Sequence, residues 1–577
     1  MRCLACACLW LAGSAAAADF AYRVEIHAPA ALVKVLEANL DIVRWSARAE
    51  TQPEQLDLLY RGAPAQIRAL LETEGYFAPA IDAALDSASQ PPLARFRIEP
   101  GEPVRIARTT LNFRGALLED ADRDARLERA RAAWPLKDGA LFRQRDWEAA
   151  KRGLLREIDR YRYANAKIVN SRARIDPVAR TAELEVEIDS GPPLTFGGVE
   201  VHGVRRYPAK LVADLNPIPN GAPYSEEELS RYQRRLITSR YFASALVTAN
   251  AETEETRQVP IRVDVVEVQA QTFEAGIGLS TDKGPRGFLN HTHRSVNAAG
   301  WALVSRLQLD PLEQKASTML HTPQDAAGLH YSFGGRIEAA DIQGQKTTNV
   351  GFVTSRTRSD ERNESALALQ LEIERQEAGD AAPDNRQALF LNQSRLWNRT
   401  DNILQPRAGH ALYAELGGAA QALGSTRSFL RAYSRASWML PLGNSDTVVL
   451  RGQLGLVGAQ GRDGIPSTYL FRTGGDTTVR GYAYESLGVP QNGAVVGGRY
   501  LAVASAEYIH WITREWGAAV FVDAGNAVDS LSDFRAAKGY GAGVRWSSKL
   551  GALNLDLAYG QDTQQYRVHF SMGITFK

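Results

Sequence analysis

The feature that most constrains this chain is the alternation at its end. Leu553, Leu555, Leu557 and Tyr559 are separated by Asn554, Asp556 and Ala558, and after a polar turn Tyr566, Val568, Phe570, Met572, Ile574 and Phe576 alternate with Arg567, His569, Ser571, Gly573 and Thr575. A period of two puts successive side chains on opposite faces of a strand, so each ribbon has one apolar and one ionisable face. A barrel with lipid outside and water inside satisfies such ribbons, and so does a soluble sandwich with the reverse burial. Leu367, Leu369, Leu371 and Ile373 against Gln370, Glu372 and Glu374, and Val448, Leu450, Leu454 and Leu456 against Arg451 and Gln453, repeat the pattern. It begins near Gln269. At about 19 residues per strand plus loop the span predicts about 16 strands, an even number that closes antiparallel. Trp301, Trp397, Trp438, Trp511, Trp516, Tyr559 and Tyr566 stand near predicted strand ends, where an interfacial girdle belongs.

The first half is organised differently, as a threefold repeat. Gly75-Tyr76-Phe77-Ala78, Arg160-Tyr161-Arg162-Tyr163-Ala164 and Arg240-Tyr241-Phe242-Ala243 each follow an amphipathic helix and precede a strand pair. The period of roughly 80 residues exceeds that of solenoid repeats and predicts small complete modules of order β-α-α-β-β. In the second copy Trp147, Ala150, Leu154 and Ile158 form one helical stripe, and Ala182, Leu184, Val186 and Ile188 alternate with acidic residues. In the third, Ser225 opens a helix with Glu228 three residues on, a capping-box spacing. The exposed edges of such small sheets can take up an extended peptide, or the modules can serve as spacers.

Residues 1–18 carry Arg2, a short apolar run and Ala16-Ala17-Ala18 before Asp19, the layout of a cleaved secretory signal; a lipidated Cys6 or Cys8 is the other reading. Cys3, Cys6 and Cys8 are all the cysteines, so an exported chain has no disulfides and no thiolate chemistry. The balance of 67 basic and 66 acidic side chains gives a net charge of +1 and no field that selects nucleic acid. No phosphate loop, nucleophile elbow or His-Glu-x-x-His spacing is present, and no cofactor or metal is expected. His291 and His293 share a strand face without an assignable third ligand, which favours a loop or lumen role.

One loop stands out. Phe471 to Gly488 contains Gly474-Gly475 and then Val479-Arg480-Gly481-Tyr482, glycines that allow close approach around one arginine flanked by an aromatic. Read by itself it is a docking loop or a solvated surface loop. Two carboxylates further on, Glu507 and Asp523, stand at inward positions of their strands, and Phe521 shares the face of Asp523.

These modules, the barrel and Val479-Arg480-Gly481-Tyr482 together resemble the BamA/TamA superfamily of outer-membrane assembly and two-partner secretion proteins. Ser505-Ala506-Glu507-Tyr508, Phe521-Val522-Asp523-Ala524-Gly525, Gly539-Tyr540-Gly541-Ala542-Gly543-Val544-Arg545 and Pro406-Arg407-Ala408-Gly409 carry the resemblance further. Three modules fit its TamA branch, the outer-membrane subunit of the translocation and assembly module. The resemblance implies an α+β series of POTRA repeats (residues 19–100, 101–191 and 192–267) ahead of a transmembrane barrel (268–577), whose loop at about 458–499 folds inward. It further implies a lock in which Arg480 meets Asp523 and Glu507. A seam follows between the first strand, where Gly276 and Gly278 flank Ile277, and the last, with Phe570, Met572, Ile574 and Phe576. A seam weakened by glycine opens sideways into lipid and templates an incoming strand. The implied partners are outer-membrane lipid, unfolded β-barrel clients including autotransporters, and an inner-membrane-anchored TamB-like protein at the POTRA domains, which lie in the periplasm. No enzymatic activity is implied. The alternative is a two-partner-secretion transporter of one exoprotein, which usually carries two modules and a plugging helix. Lys577, following Phe576, departs from barrels that end on the aromatic.

Overall fold

The computed structural model describes residues 21–46, 52–249, 257–360, 362–402, 406–548 and 551–576. The expected signal with its three cysteines and Lys577 lie outside the described residues. The chain divides into two compact units, one holding the residues up to 198 with 220–228 and 249–261, the other holding 199–219, 229–248 and everything from 262.

Three small modules come first, each built on a three-stranded sheet. Module 1 comprises β1 (Arg23–His27), α1 (Ala30–Asn39), α2 (Asp41–Ser46), α3 (Pro53–Thr73), β2 (Ala80–Asp86) and β3 (Leu93–Glu99), with sheet order β1-β3-β2. It has one helix more than the repeat pattern predicts. Leu40, extended after α1, breaks the first helix, and Pro53 at N1 of α3 with reciprocal Gln52–Gln55 capping starts the long one afresh. Module 2 comprises β4 (Arg105–Arg114), α4 (Arg123–Ala133), α5 (Gln144–Asp159), β5 (Lys167–Asp176) and β6 (Thr181–Asp189), in order β4-β6-β5. The stripe Trp147, Ala150, Leu154 and Ile158 is buried against Ala182, Leu184, Val186 and Ile188, each large side chain contributing about 1.5–3 kcal/mol. Module 3 comprises β7 (Thr195–His202), α6 (Ala209–Asp214), α7 (Glu226–Thr238), β8 (Phe242–Ala249) and β9 (Gln258–Glu267), in order β7-β9-β8. Ser225 Oγ accepts the Glu228 amide at 3.4 Å, one half of the expected box.

The repeated motif turns out to mark the joints. Gly75, Arg162 and Arg240 each have positive φ (93°, 67° and 69°), and each is followed by tyrosine, so the second copy aligns on Arg162-Tyr163, two residues later than Arg160-Tyr161. The left-handed residue stands two residues past α3 and α7 and three past α5, where the chain turns away from the helix. Val104 N–H donates to Gly75 O at 2.8 Å and Leu194 N–H to Arg162 O at 2.6 Å. In the barrel unit, Val268 N–H donates to Tyr241 O at 2.9 Å, and the Tyr241 hydroxyl donates to Gly300 O at 2.8 Å.

Sixteen antiparallel strands then close a barrel. They are β10 (Gln271–Ser280), β11 (Gly284–His293), β12 (Ala302–Leu309), β13 (Glu313–His321), β14 (Leu329–Ile342), β15 (Gln345–Ser359), β16 (Asn363–Ala378), β17 (Asp384–Asn398), β18 (Gly409–Ala419), β19 (Phe429–Leu442) and β20 (Asp446–Gly458). After a hairpin, β21 (Val489–Gln491) with β22 (Ala494–Val496), come β23 (Tyr500–Trp511), β24 (Trp516–Val528), β25 (Ala537–Ser548), β26 (Gly551–Gly560) and β27 (Gln565–Phe576). Ile277, Phe352, Leu369, Ile373, Leu454 and Leu557 are exposed on the outer wall, while Glu372, Glu374, Glu507, Asp523 and Asp556 are buried inside. That sense of burial is the lipid-facing one and decides against a sandwich. β10 follows module 3 directly, so the start of β10 defines the module end of the barrel.

Candidate functional site

The connection from Gly458 to Tyr500 does not project outward. Its apolar side chains, Ile465, Tyr469, Phe471, Val479 and Tyr482, form one buried cluster with Phe390, Phe429, Val457, Leu501 and Val503 of the barrel wall. The Arg386 guanidinium donates to Ile465 O at 2.9 Å, and Arg472 donates to Ile342 O at 3.1 Å and pairs with Glu485.

At the tip lies Arg480, 2% exposed. Its Nε and Nη2 hold Asp523 Oδ2 and Oδ1 at 2.7 and 3.0 Å, a bidentate pair, while its own amide donates to Asp523 Oδ2 at 3.1 Å. Nη1 reaches Glu507 Oε2 at 2.8 Å and Asp556 Oδ2 at 3.2 Å, and the guanidinium lies 3.4 Å over the Phe521 ring. Arg545 ties Glu507 Oε1 (2.9 Å) to Asp556 Oδ1 (2.6 Å), and Arg451 adds a second donor to Glu507 Oε2 at 2.8 Å. Three guanidiniums therefore face three carboxylates. Such a balance makes the burial of Arg480, Arg545, Glu507, Asp523 and Asp556 tolerable, with Arg451 half-exposed at the edge, and removing a buried member strands its partners at a cost of about 3–5 kcal/mol.

The glycines are sterically required. A Cβ on Gly481 (φ 92°) would lie 2.7 Å from Gly560 N, and one on Gly539 would lie 1.8 Å from Arg480 O. The Gly481 amide donates to His569 Nε2 at 2.9 Å, which leaves the ring proton on Nδ1, facing Asp282 Oδ1 at 3.2 Å. Asp282 Oδ2 also accepts the Asp476 amide at 2.7 Å. The Tyr482 hydroxyl donates to Asp562 Oδ2 at 3.0 Å. A cavity of about 200 Å³, lined by Arg451, Arg480, Glu507, Arg545, Asp556 and His569 among others, remains beneath the tip.

The seam joins residues 275–280 of β10 to 571–576 of β27, with Gly276 opposite Thr575, Ile277 opposite Ile574, Gly278 opposite Gly573, Leu279 opposite Met572 and Ala275 opposite Phe576. On its other side β10 pairs with β11 from Gln271 to Ser280. Towards the far end Thr281 N–H donates to Phe570 O at 3.0 Å, and Thr281 Oγ1 accepts from Phe570 N–H at 3.0 Å. His291 takes neither the loop nor the lumen position expected: within β11 it pairs with Phe273, exposed on the outer wall, and stacks on it at 4.5 Å. The parity of β11 puts His293 on the same outer face.

An Omp85 superfamily domain model matches residues 269–576, more than half of the sequence. The chain belongs to the Omp85 superfamily. It is 22% identical over 469 residues to the outer membrane protein assembly factor BamA of Neisseria meningitidis serogroup B, covering 69% of this chain and 58% of that relative's length. The structure of BamA from Haemophilus ducreyi lacking POTRA domains 1–3 is similar with a TM-score of 0.67 at 16% identity, over 82% of this chain and all of that one. In this Omp85 chain the residues singled out by sequence, Val479, Arg480, Gly481, Tyr482, Glu507, Phe521 and Asp523, converge in one site. Asp556, Arg545, Arg451, His569 and Asp282 complete it and were not anticipated. The parity of their strands marks Asp556 and His569 as inward, but which inward residues meet across the lumen depends on the stagger of the closed barrel.

Proposed function

We propose that this chain is an outer-membrane assembly factor of the TamA kind, inserting and folding β-barrel proteins, autotransporters included, through the junction of β10 and β27. Its POTRA domains, in the periplasm, dock unfolded clients and an inner-membrane-anchored TamB-like partner. The observation that carries this reading is the seam: among the described residues its ladder runs over six pairs, 275–280 with 571–576, and holds Gly276 and Gly278, whereas β15 and β16 share fifteen pairs. Where strands part in hydrocarbon, each freed amide and carbonyl costs several kcal/mol unless another strand takes its place. An incoming client strand supplies that replacement by backbone pairing, without nucleotide or cofactor.

The test is to close the seam covalently. With Ile277→Cys and Ile574→Cys oxidised to a disulfide, assembly of a model barrel client in a reconstituted assay is expected to stop and to return on reduction. Undiminished assembly with the seam locked would sink the mechanism. The two-partner-secretion reading makes a different prediction: deletion would then remove a single exoprotein from the medium and leave the census of outer-membrane barrels unchanged.

A further inference from the structure

Half-way round the barrel from the seam, the outer wall carries a cluster of three arginines at the module end. Arg358 of β15 and Arg395 of β17 both stand opposite Ser365 of β16, so the three form one row across adjacent strands. Strand spacing puts the two arginines roughly 10 Å apart at the backbone, within mutual reach of their side chains. Arg356, one row nearer the middle, is opposite Leu367, which is opposite Gln393; one row nearer the end, Asn363 is opposite Trp397. Arg356, Arg358 and Arg395 are all exposed and share the outward face of Leu367, Leu369 and Leu391. The Arg395 guanidinium lies 5.5 Å over Trp397, and Arg358 Nε donates to Ala327 O at 3.2 Å.

Among the described residues none of the three is in an ion pair. The nearest carboxylate in sequence, Asp360, is spent on the amides of Arg362 and Asn363 and on the Asn363 side chain. Glu364 has the parity of the inward face. At the opposite end of the same strands the cations are matched: Arg375 pairs with Glu377, and Lys346 stands opposite both Glu377 and Asp341. Guanidiniums without an ion-pair partner among the described residues, directly below a lipid-facing leucine band and beside an interfacial tryptophan, suit a counter-anion that is itself amphipathic.

The geometry points to a binding site for an anionic phospholipid in the module-side leaflet. Its phosphate sits over Ser365 between Arg358 and Arg395, with Arg356 above, and its acyl chains lie along Leu367, Leu369 and Leu391. The site rests on the lipid-facing wall and not on the assembly role.

Native mass spectrometry of the full-length protein, titrated with phosphatidylglycerol or phosphatidylethanolamine, tests it. Wild type is expected to retain phosphatidylglycerol preferentially, and Arg356→Gln/Arg358→Gln/Arg395→Gln to weaken that binding on the order of tenfold to a hundredfold with unchanged heat-modifiability. Equal retention by the triple variant, or equal affinity of wild type for the two lipids, overturns the site. So does displacement of bound lipid by excess inorganic phosphate, which would mark a simple anion site. The lipid comparison and the phosphate competition use wild type alone and stand even if the variant fails to fold.

Discussion

The wall that receives Arg480 and the wall that joins β10 to β27 are made of the same alternating strands, yet they are held by different means. Between β20 and β26 the ladders are backed by a luminal layer: the loop tip, three guanidiniums and three carboxylates, and the rings of Phe521 and Tyr482. At the seam the ladder among the described residues runs over 275–280, with Gly276 and Gly278 supplying no side chains. The comparison teaches that in a barrel the hydrogen-bonded ladder is common to every joint, and what lies inside decides which joint is stiff. The two regions also communicate, since His569 belongs to the last strand, Asp282 to the turn after the first, and both hold the loop.

If the inner layer is what stiffens the wall, breaking it should cost more than any change at a ladder. Asp523→Ala strands the Arg480 guanidinium and amide and is expected to destabilise the folded barrel by about 3–5 kcal/mol, read as a lowered temperature of gel-mobility shift. Arg480→Ala is expected to leave the barrel inserted but less heat-resistant and poorly active, and wild-type behaviour on both counts would break the comparison. Gly481→Ala places a methyl against Gly560 and Tyr559 at positive φ, for an expected loss of about 2–3 kcal/mol and loop release detectable as new protease cleavage between Gly458 and Tyr500. His569→Ala removes the acceptor of the Gly481 amide, with an expected cost of about 1–2 kcal/mol. It sharpens the comparison further, because disulfide trapping of Ile277→Cys with Ile574→Cys should then become slower if the loop steadies the seam.

The smallest effect lies outside the barrel. Asp159, at the end of α5, has one buried oxygen without a partner, and burial followed by repulsion from Glu226 pushes its carboxyl up to about 6. A carboxyl raised in the fold binds its proton more tightly there than in the unfolded chain. Its contribution is therefore greatest below the ordinary carboxylate range and is lost as pH rises through about 6. After allowance for solvent screening the change is about 1 kcal/mol, and Asp159→Asn should abolish it in denaturant melts of the POTRA unit at pH 5 and pH 8.

Much of this arrangement was legible in the sequence because period-two alternation survives closure unchanged: a residue predicted inward is inward whatever the number of strands. Asp523, Glu507 and Phe521 are inward by that parity, while Arg480, in a loop without periodicity, is paired with them through the resemblance of Val479-Arg480-Gly481-Tyr482 to the BamA/TamA superfamily. Asp282 was not legible, since it sits in a three-residue turn with no periodicity to read. Arg545 and Asp556 were visible as inward residues, but meeting Arg480 requires the strand stagger, which no single segment encodes. The extra helix of module 1 is not legible from the repeat, because the break at Leu40 and the fresh start at Pro53 lie well ahead of the motif, which marks the joint. His291 was misassigned because two histidines on one face gave no sign of which face that was until the parity of Phe273 settled it.

Apart from the segment between Gly458 and Tyr500, the connections at the far end of the barrel run from two residues, between β14 and β15, to nine, between β18 and β19. The one long connection is spent as a stopper. A cell carrying the intact molecule should therefore keep its permeability barrier and offer antibodies or phages little to grasp. Uncoupling Arg480 should be felt first as sensitivity to bulky antibiotics and as stepwise current in planar bilayers.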